Sequence, residues 1–191
     1  GTSFRPQTSG TDAGLAGVWG SGPDNVYAVG SSGTVLRWDG RAWRALTTGV
    51  GDDHDLSDVS GSSAKDVFVV GTQSQDEVGV VLHWNGASWT RTTVPARGLS
   101  AVWSAGPKDV LVSGRAQAEE GGGINGILLR FDGQRWKRLL PRERDNMQAQ
   151  FGIWGIRTAG DRVGHAWFVG QNSQIAHFDG TSFGFRTPGT I

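Results

Sequence analysis

The chain of 191 residues contains no cysteine, a single methionine and no apolar run long enough to cross a membrane as a helix. Without cysteine there are no disulfides, no thiol nucleophiles and no cysteine-ligated zinc. Eighteen basic and eighteen acidic residues give a net charge of zero, which gives no reason to expect nucleic acid or an anionic membrane as partner. Without a long apolar run, membrane insertion is not expected. The first residue is glycine rather than methionine, which predicts a processed chain or part of a longer one.

Glycine is abundant, with 31 residues, and many of them recur with a fixed period. An Asp-Gly or Asn-Gly pair occurs at 39–40, 85–86, 132–133 and 179–180, which are 46 or 47 residues apart. Each pair predicts a two-residue type I′ turn between two strands. An aromatic residue follows every pair at the same offset: Trp43, Trp89, Trp136 and Phe183. Four short strands in a unit of this length predict an all-β fold, a β-propeller of four-stranded antiparallel blades.

The repeat divides a single propeller domain, residues 1–191, into four blades. Their expected ranges are about 15–48, 56–94, 99–140 and 151–187. Residues 1–9, GTSFRPQTS, resemble the start of the last fourth strand, GTSFGFRTP, and therefore predict one extra N-terminal outer strand. Since the last blade has its own predicted fourth strand, three interpretations stay open: residues 182–187 form no strand, the chain is part of a larger propeller, or the surplus strand pairs with another chain.

The connections between strands differ at the two ends of the predicted blades. Turns at one end are short and alike, whereas the other end receives long, varied loops at 49–55, 72–79, 115–126 and 141–150. Variable loops on a rigid scaffold are typical of a binding surface. Tolerated insertions are the alternative, because long surface loops cost little. The candidate binding residues in these loops are Asp52, Asp53, His54, Asp55, Gln75, Asp76, Glu77, Glu119, Glu120, Asn125, Arg142, Arg144 and Asn146.

The first of these loops is rich in carboxylates. Asp52, Asp53 and Asp55, with Asp58 nearby, are oxygen ligands of the kind that calcium prefers. Their spacing differs from that of an EF-hand, and a solvated acidic loop is the favoured interpretation.

The four histidines fall in different blades without metal-ligand spacing. His83 and His177 occupy equivalent positions, which favours a structural role.

Two glycine motifs lie in the wrong context for catalysis. GTSFG at 180–184 matches the serine-hydrolase elbow around Ser182 but falls in a hairpin turn rather than between a strand and a helix. GGGING at 121–126 matches a dinucleotide fingerprint but falls in a loop between strands. A basic stretch is interpreted as an exposed outer strand rather than a polyanion site. Its members are Arg130, Arg135, Lys137, Arg138, Arg142 and Arg144.

Nine tryptophans raise the alternative of a lectin, because sugars stack on aromatic rings. Six of them recur at fixed places in the repeat, and such positions favour packing between blades. They are Trp19, Trp43, Trp89, Trp103, Trp136 and Trp154.

The segments VWGSGPDNVYAVG (18–30) and GTVLRWDGRAW (33–43) carry a resemblance to a known group of repeats. They are similar to the bacterial repeat propellers grouped as BNR-like or WD40/YVTN-like, of the kind found in secreted proteins and lipoproteins of myxobacteria and their relatives. The resemblance implies the propeller fold and an extracellular or cell-envelope location.

The expected function is a non-catalytic scaffold that binds a protein, or another copy of the chain, through the long loops. A lectin-like propeller is the alternative. A glycoside hydrolase is less favoured, because no pair of carboxylates flanking one pocket can be assigned.

Overall fold

The structure is a computed structural model that describes residues 3, 5–116, 126–139, 150–171 and 174–186. These residues form sixteen strands in four antiparallel sheets of four, and the strands of each sheet neighbour one another in chain order. No helix among them has the length and apolar character needed to span a membrane. The predicted all-β architecture of four-stranded meanders is confirmed.

We number the sheets as blades 1 to 4 in chain order. Blade 1 contains β1 (Leu15–Gly22), β2 (Asn25–Gly30), β3 (Val35–Trp38) and β4 (Trp43–Ala45). Blade 2 contains β5 (His54–Ser63), β6 (Asp66–Gln73), β7 (Val78–Trp84) and β8 (Trp89–Val94). Blade 3 contains β9 (Gly98–Gly106), β10 (Asp109–Arg115), β11 (Gly126–Phe131) and β12 (Trp136–Arg138). Blade 4 contains β13 (Gln150–Thr158), β14 (Arg162–Gly170), β15 (Ile175–Phe178) and β16 (Phe183–Arg186).

The hairpin turn between the third and fourth strands differs in type from the prediction. In blade 1 the Asp39 N–H donates to the Ala42 carbonyl, so Gly40 and Arg41 are the two central residues. Gly40 has φ +88°, whereas Arg41 is not among the residues with positive φ. A glycine at the first central position is the pattern of a type II′ turn rather than type I′. The Asp39 carboxylate accepts the N–H groups of Arg41 and Ala42, which explains why Asp or Asn precedes the glycine.

The blades pack face to face around three hydrophobic clusters. One cluster joins blades 1 and 2, a second joins blades 2 and 3, and a third joins blades 3 and 4. Branched and aromatic side chains from both faces of the middle strands fill them, as the apolar second strands predict. Among the described residues no such cluster joins blade 4 to blade 1. Within the described residues the four blades form an open arc, with Val18 of blade 1 and Trp154 of blade 4 exposed at its ends.

The inner strands pack through a tryptophan set against a glycine. A Cβ built at Gly61 in blade 2 would lie 2.6 Å from the Trp19 ring of blade 1. A Cβ at Gly155 in blade 4 would lie 2.9 Å from three ring carbons of Trp103 in blade 3. Each indole thus occupies the volume that a side chain on the next blade would need.

The interface between blades 2 and 3 uses two small residues at the same positions. Ser60 takes the place of the tryptophan and Ser104 that of the glycine, and the Ser104 N–H donates to Ser60 Oγ at 3.1 Å. Asp58 adds a second bond, because its Oδ2 accepts the N–H of Val102 at 2.9 Å. Burial raises the pKa of the Asp58 carboxyl, while this bond and one from the Val59 N–H act in the opposite direction.

The extra outer strand predicted over residues 1–9 is not formed in the described part of that segment, residues 3 and 5–9. Pro6 has no N–H with which to join a strand ladder. The segment is instead attached by a side chain, since Gln7 Oε1 accepts a hydrogen bond from Trp43 Nε1 at 3.0 Å.

Candidate binding site at the loop end

The described loops between second and third strands and between blades meet at one end of the arc, which we call the loop end. The Gly33 N–H donates to the His54 carbonyl at 2.7 Å, and the Ser74 N–H donates to the Asp53 carbonyl at 2.8 Å. At the next blade the Arg97 N–H donates to the Arg115 carbonyl at 2.9 Å. Backbone bonds therefore hold loops from three blades together, which gives this end a defined shape.

The acidic loop at 49–55 is engaged with protein groups rather than open to a metal. Asp53 Oδ1 lies 2.6 Å from His54 Nδ1, and Asp53 Oδ2 accepts a hydrogen bond from Gln73 Nε2 at 3.3 Å. Asp55 Oδ2 accepts a hydrogen bond from Ser74 Oγ at 3.2 Å. Among the described residues no three His, Asp or Glu side chains are placed to share an ion, so the calcium site considered at Asp52, Asp53 and Asp55 is not formed there.

His54 lies inside the protein rather than at the binding surface. Its side chain is buried, and its Nε2 atom has no hydrogen-bond partner. His54 begins β5, where side chains alternate between faces, and its inward direction places it in the blade packing. His54 therefore offers no exposed side chain to a partner, whereas Asp52 and Asp55 are exposed, and binding by these residues stays a prediction.

A pocket of about 270 Å³ opens between blades 2 and 3 at the loop end. Its walls are mostly polar and carry two arginines and one glutamate. They are formed by Ser57, Thr72, Glu77, Arg97, Gly98, Leu99, Ser100 and Arg115. Pockets that enclose a whole small ligand usually start at about 300 Å³. This pocket is therefore suited to one side chain or one chain terminus of a larger partner.

An ion pair forms one rim of the pocket. The guanidinium of Arg97 donates to the Glu77 carboxylate, and both side chains remain about half exposed. Glu77 has a left-handed backbone, with φ +48°, which is uncommon for any residue other than glycine, asparagine or aspartate. Such strained positions cluster at ligand-binding sites. Glu77 thus keeps a side chain where glycine would fit the backbone better.

The predicted binding residues fall into three groups. Gln75, Asp76 and Glu77 are exposed at the loop end, and Glu77 lines the pocket. The second group, Asp52, Asp53, His54 and Asp55, belongs to the acidic loop beside them. The remaining candidates lie outside the described residues: Glu119, Glu120, Asn125, Arg142, Arg144 and Asn146.

Sequence reasoning missed Arg97 and Arg115. Arg97 belongs to the link between blades 2 and 3, and Arg115 ends β10. Both blade links and second-to-third turns reach the loop end of a meander. Applying that rule to the short link at 95–97, and not only to the long loops, would have found Arg97.

A second pocket, at the short-turn end, contains a serine, an aspartate and a histidine but lacks the order of a catalytic triad. Asp66 accepts hydrogen bonds from Ser62 Oγ and from His83 Nε2, the latter at 2.8 Å, so the carboxylate rather than the imidazole is central. In a triad the imidazole lies between the serine and the acid. The His83 ring also stacks on Phe68, with centroids 4.0 Å apart.

The Asp66–His83 pair is one of four equivalent pairs that join the second and third strands of every blade. The others are Asn25–Arg37 at 2.7 Å, Asp109–Arg130 at 2.6 Å and His165–His177 at 3.0 Å. The structural role predicted for His83 and His177 fits this recurrence.

Two described members of the basic stretch, Arg130 and Lys137, are engaged within blade 3. Arg130 donates two bonds of 2.6 Å to the buried Asp109 carboxylate, and these bonds raise the pKa of the guanidinium. Lys137 pairs with Asp132 at 2.6 Å.

The hydroxyl group of Ser182, in the GTSFG motif, donates a hydrogen bond to the Asp179 carboxylate within the same turn.

Comparisons with known proteins agree with this architecture. YCF48 bound to D1 peptide has a TM-score of 0.64 and 15% identity, with 94% of this chain and 55% of that chain covered. The SapL1 lectin in complex with α-methyl fucoside has a TM-score of 0.64 and 18% identity, covering 91% of this chain and 63% of that one. A GH74 xyloglucanase from Xanthomonas campestris has a TM-score of 0.64 and 16% identity, with 90% of this chain and 30% of that chain covered. At these identities the likeness shows the fold alone.

No protein-family model and no curated protein sequence matches the chain. The sheet topology and the solved structures define its class as a β-propeller of four-stranded blades. The chain spans a little over half the length of the YCF48 structures that it matches. The same fold occurs in a peptide complex, in a lectin and in a hydrolase.

Proposed function

We propose that the protein is a non-catalytic scaffold that captures an extended segment of a protein partner at the loop end. The observation that carries the proposal is the pocket between blades 2 and 3, edged by the Arg97–Glu77 ion pair. Its volume suits a single inserted side chain. YCF48, a propeller of similar fold, is described as bound to a peptide, which supports the same use of the fold here.

The charges of the pocket favour an acidic segment. Arg97 and Arg115 supply two guanidinium groups against the one carboxylate of Glu77. A guanidinium fork binds a carboxylate through two parallel hydrogen bonds. We therefore expect the partner to insert an aspartate, a glutamate or a carboxy-terminal carboxylate.

A displayed library of random linear peptides tests this directly. Selection on the full chain should enrich peptides with a carboxylate at a fixed position. Replacing Arg97 by Gln should weaken the selected peptides by about 10- to 100-fold, the range expected for a hydrogen bond to a charged group. Arg44→Gln is the matched control, because Arg44 also pairs with an aspartate, Asp39, but lies in blade 1 beside its hairpin turn. Peptides bound equally well by both variants would contradict the proposal.

Glu77→Gly separates binding from folding at the same site. Glycine adopts the left-handed backbone at no steric cost, so the folded state should keep its stability or gain up to about 1 kcal/mol. Loss of the carboxylate releases Arg97 from its ion pair and alters the rim that the partner meets. We expect unchanged or higher thermal stability with changed peptide affinity. Unchanged affinity would exclude Glu77 from the site.

A glycan is the alternative ligand, supported by the fold shared with the SapL1 lectin. Most repeat-locked tryptophans are engaged in packing, but the Trp154 side chain is exposed, with its ring centroid 5.7 Å from that of Trp167. A glycan array that shows binding lost on Trp154→Ser would favour this alternative. Absence of binding at high protein density would remove it.

An extracellular or cell-envelope location is also part of the proposal. Its support is the resemblance of the repeat to those of secreted bacterial proteins. Immunoblotting of fractionated source cells tests it, and recovery of the protein in the cytosol alone would contradict it.

A further inference from the structure

Glu77 holds a backbone conformation that its residue type disfavours. It lies in the turn between β6 and β7 with φ +48°, and eight of the other described residues with positive φ are glycines. Aspartate and asparagine tolerate this conformation because their short side chains can bond to the nearby backbone. The longer Glu77 side chain instead reaches Arg97, in the link to blade 3. Its contribution at this position is therefore the contact with Arg97 rather than the turn.

The contact between Glu77 and Arg97 uses only one of the two carboxylate oxygens. Both Nε and Nη2 of Arg97 approach Oε2 of Glu77. Arg130 shows the complete arrangement, since its Nε and Nη2 donate to different oxygens of Asp109 at 2.6 Å each. A fork of two parallel bonds is the stronger geometry. A free carboxylate that offered both oxygens would therefore bind Arg97 better than Glu77 does.

Solvent weakens the pair of Glu77 and Arg97 further. Their side chains are 55% and 48% exposed, whereas that of Asp109 in the complete arrangement is 1% exposed. Exposed ion pairs contribute little to stability, because water and salt screen the charges and two long side chains must be ordered. Glu77 can therefore leave Arg97 at a small cost in free energy.

The pocket behind this pair contains hydrogen-bond donors that Glu77 does not use. The Arg115 guanidinium makes no ion pair or hydrogen bond with any residue that the structure describes. The pairing register shifts at Ser57 of β5 and at Ser100 of β9, as at a β-bulge, and both serines line the pocket. Bulges often redirect side chains beside binding sites. An incoming carboxylate would thus meet a free arginine and two serines, together with the arginine that Glu77 occupies.

We infer that Glu77 is an internal competitor for the partner's carboxylate, which occupies Arg97 in the unbound protein and is displaced when the partner binds. The inference rests on the proposed function and adds that the site is autoinhibited. Binding exchanges an exposed ion pair with one oxygen for a two-oxygen bond inside the pocket, with Arg115 as the second cation. A carboxylate that reaches Arg97 alone gains little from this exchange. Glu77 therefore favours partners that also fill the pocket.

Titration of the full chain with acetate tests the competition without a selected peptide. Heteronuclear NMR follows the Nε–H signal of Arg97, assigned by its loss in Arg97→Gln, while sodium acetate replaces sodium chloride at constant ionic strength. Glu77→Gln removes the charge but keeps the side-chain shape. It should tighten acetate binding at Arg97 by about 2- to 5-fold, the range that an exposed ion pair supports. Asp161→Asn is the matched control, because Asp161 is also an exposed carboxylate at positive φ but lies at the short-turn end. This control should leave the acetate affinity unchanged.

Peptides selected on the full chain separate competition from simple charge repulsion. Glu77→Gln should strengthen their binding in the parent protein but not in an Arg97→Gln background, because Glu77 acts through Arg97. Thermal melting checks that each variant is folded.

Three results would overturn the inference: equal gains in both backgrounds, an acetate affinity that Glu77→Gln leaves unchanged or weakens, and no response of Arg97 to acetate in either protein. A library that yields no peptide would instead overturn the proposed function. The acetate titration would still decide in that case whether Glu77 competes for Arg97.

Discussion

Replacing Gly155 by alanine adds one methyl group beneath the indole of Trp103. The new Cβ would lie 2.9 Å from three ring carbons of Trp103, and these are the three heavy atoms nearest to it. Carbon atoms in good contact are about 3.5–4.0 Å apart, so the ring or the inner strand must move by about 0.6 Å or more. Forced expansion of a packed core costs about 1–3 kcal/mol. We expect Gly155→Ala to destabilise the protein by that amount.

A double-mutant cycle shows whether the cost arises at the ring. Trp103→Ala alone should cost about 3 kcal/mol, the lower end for a tryptophan, because the ring is only partly buried. In that background the methyl group meets no ring, and Gly155→Ala should change the free energy of unfolding by less than about 0.5 kcal/mol. The coupling between the two changes is then about 1–3 kcal/mol, measured by urea denaturation.

Gly184→Ala is the matched control for this cycle. Gly184 lies in β16 with no atom within 4 Å of its added Cβ, and its φ is not positive. The same chemical change should therefore be neutral or stabilising by a few tenths of a kcal/mol. If Gly155→Ala costs as much in the Trp103→Ala background as in the parent, the packing of tryptophan on glycine does not join the blades as described.

The remaining predictions concern two aspartates. Asp109→Ala should destabilise the protein by about 3–5 kcal/mol, because it leaves the Arg130 guanidinium and the Val163 N–H without their buried partner. Urea denaturation measures this change, and a loss of stability below about 1 kcal/mol would contradict the prediction. The backbone N–H bonds of the turn lower the pKa of Asp179 to about 2 from a usual value near 4. Its stabilising effect is therefore present above pH 4 and lost as pH falls towards 2. Asp179→Asn places at 179 the residue found at the equivalent Asn85 of blade 2, and it should reduce the change in melting temperature between pH 4 and pH 2. An unchanged pH dependence would refute the role of the Asp179 carboxylate in the turn.

The periodicity of the sequence was sufficient to predict the blades because the repeat depends on local chemistry. Each hairpin has a glycine at positive φ, an Asp or Asn before it that accepts N–H groups of the turn, and an aromatic residue at the start of the fourth strand, for example Asp39, Gly40 and Trp43. Those features span a few residues and can be found without knowing the fold. The turn type was predicted wrongly because the letters do not show which two residues are central.

Features that depend on distant residues could not be predicted in the same way. His54 appeared to belong to an exposed acidic loop, but the pairing of β5 with β6 decides that it is buried. The pocket exists because Arg97 of a short link meets Glu77 of a loop 20 residues earlier. The packing of Trp19 on Gly61 and of Trp103 on Gly155 depends on the relative placement of neighbouring blades, which the sequence does not show.

The account of function depends on the end of the arc at which a partner binds. Hydrogen–deuterium exchange of the full chain, with and without a peptide selected from the random library, measures this most directly. The account predicts slower exchange in residues 72–79 and 95–100, around the pocket of Arg97 and Glu77, and no change in the short turns at 62–66 and 85–88. Protection confined to those short turns, or selection that yields no peptide protecting the loop end, would contradict it.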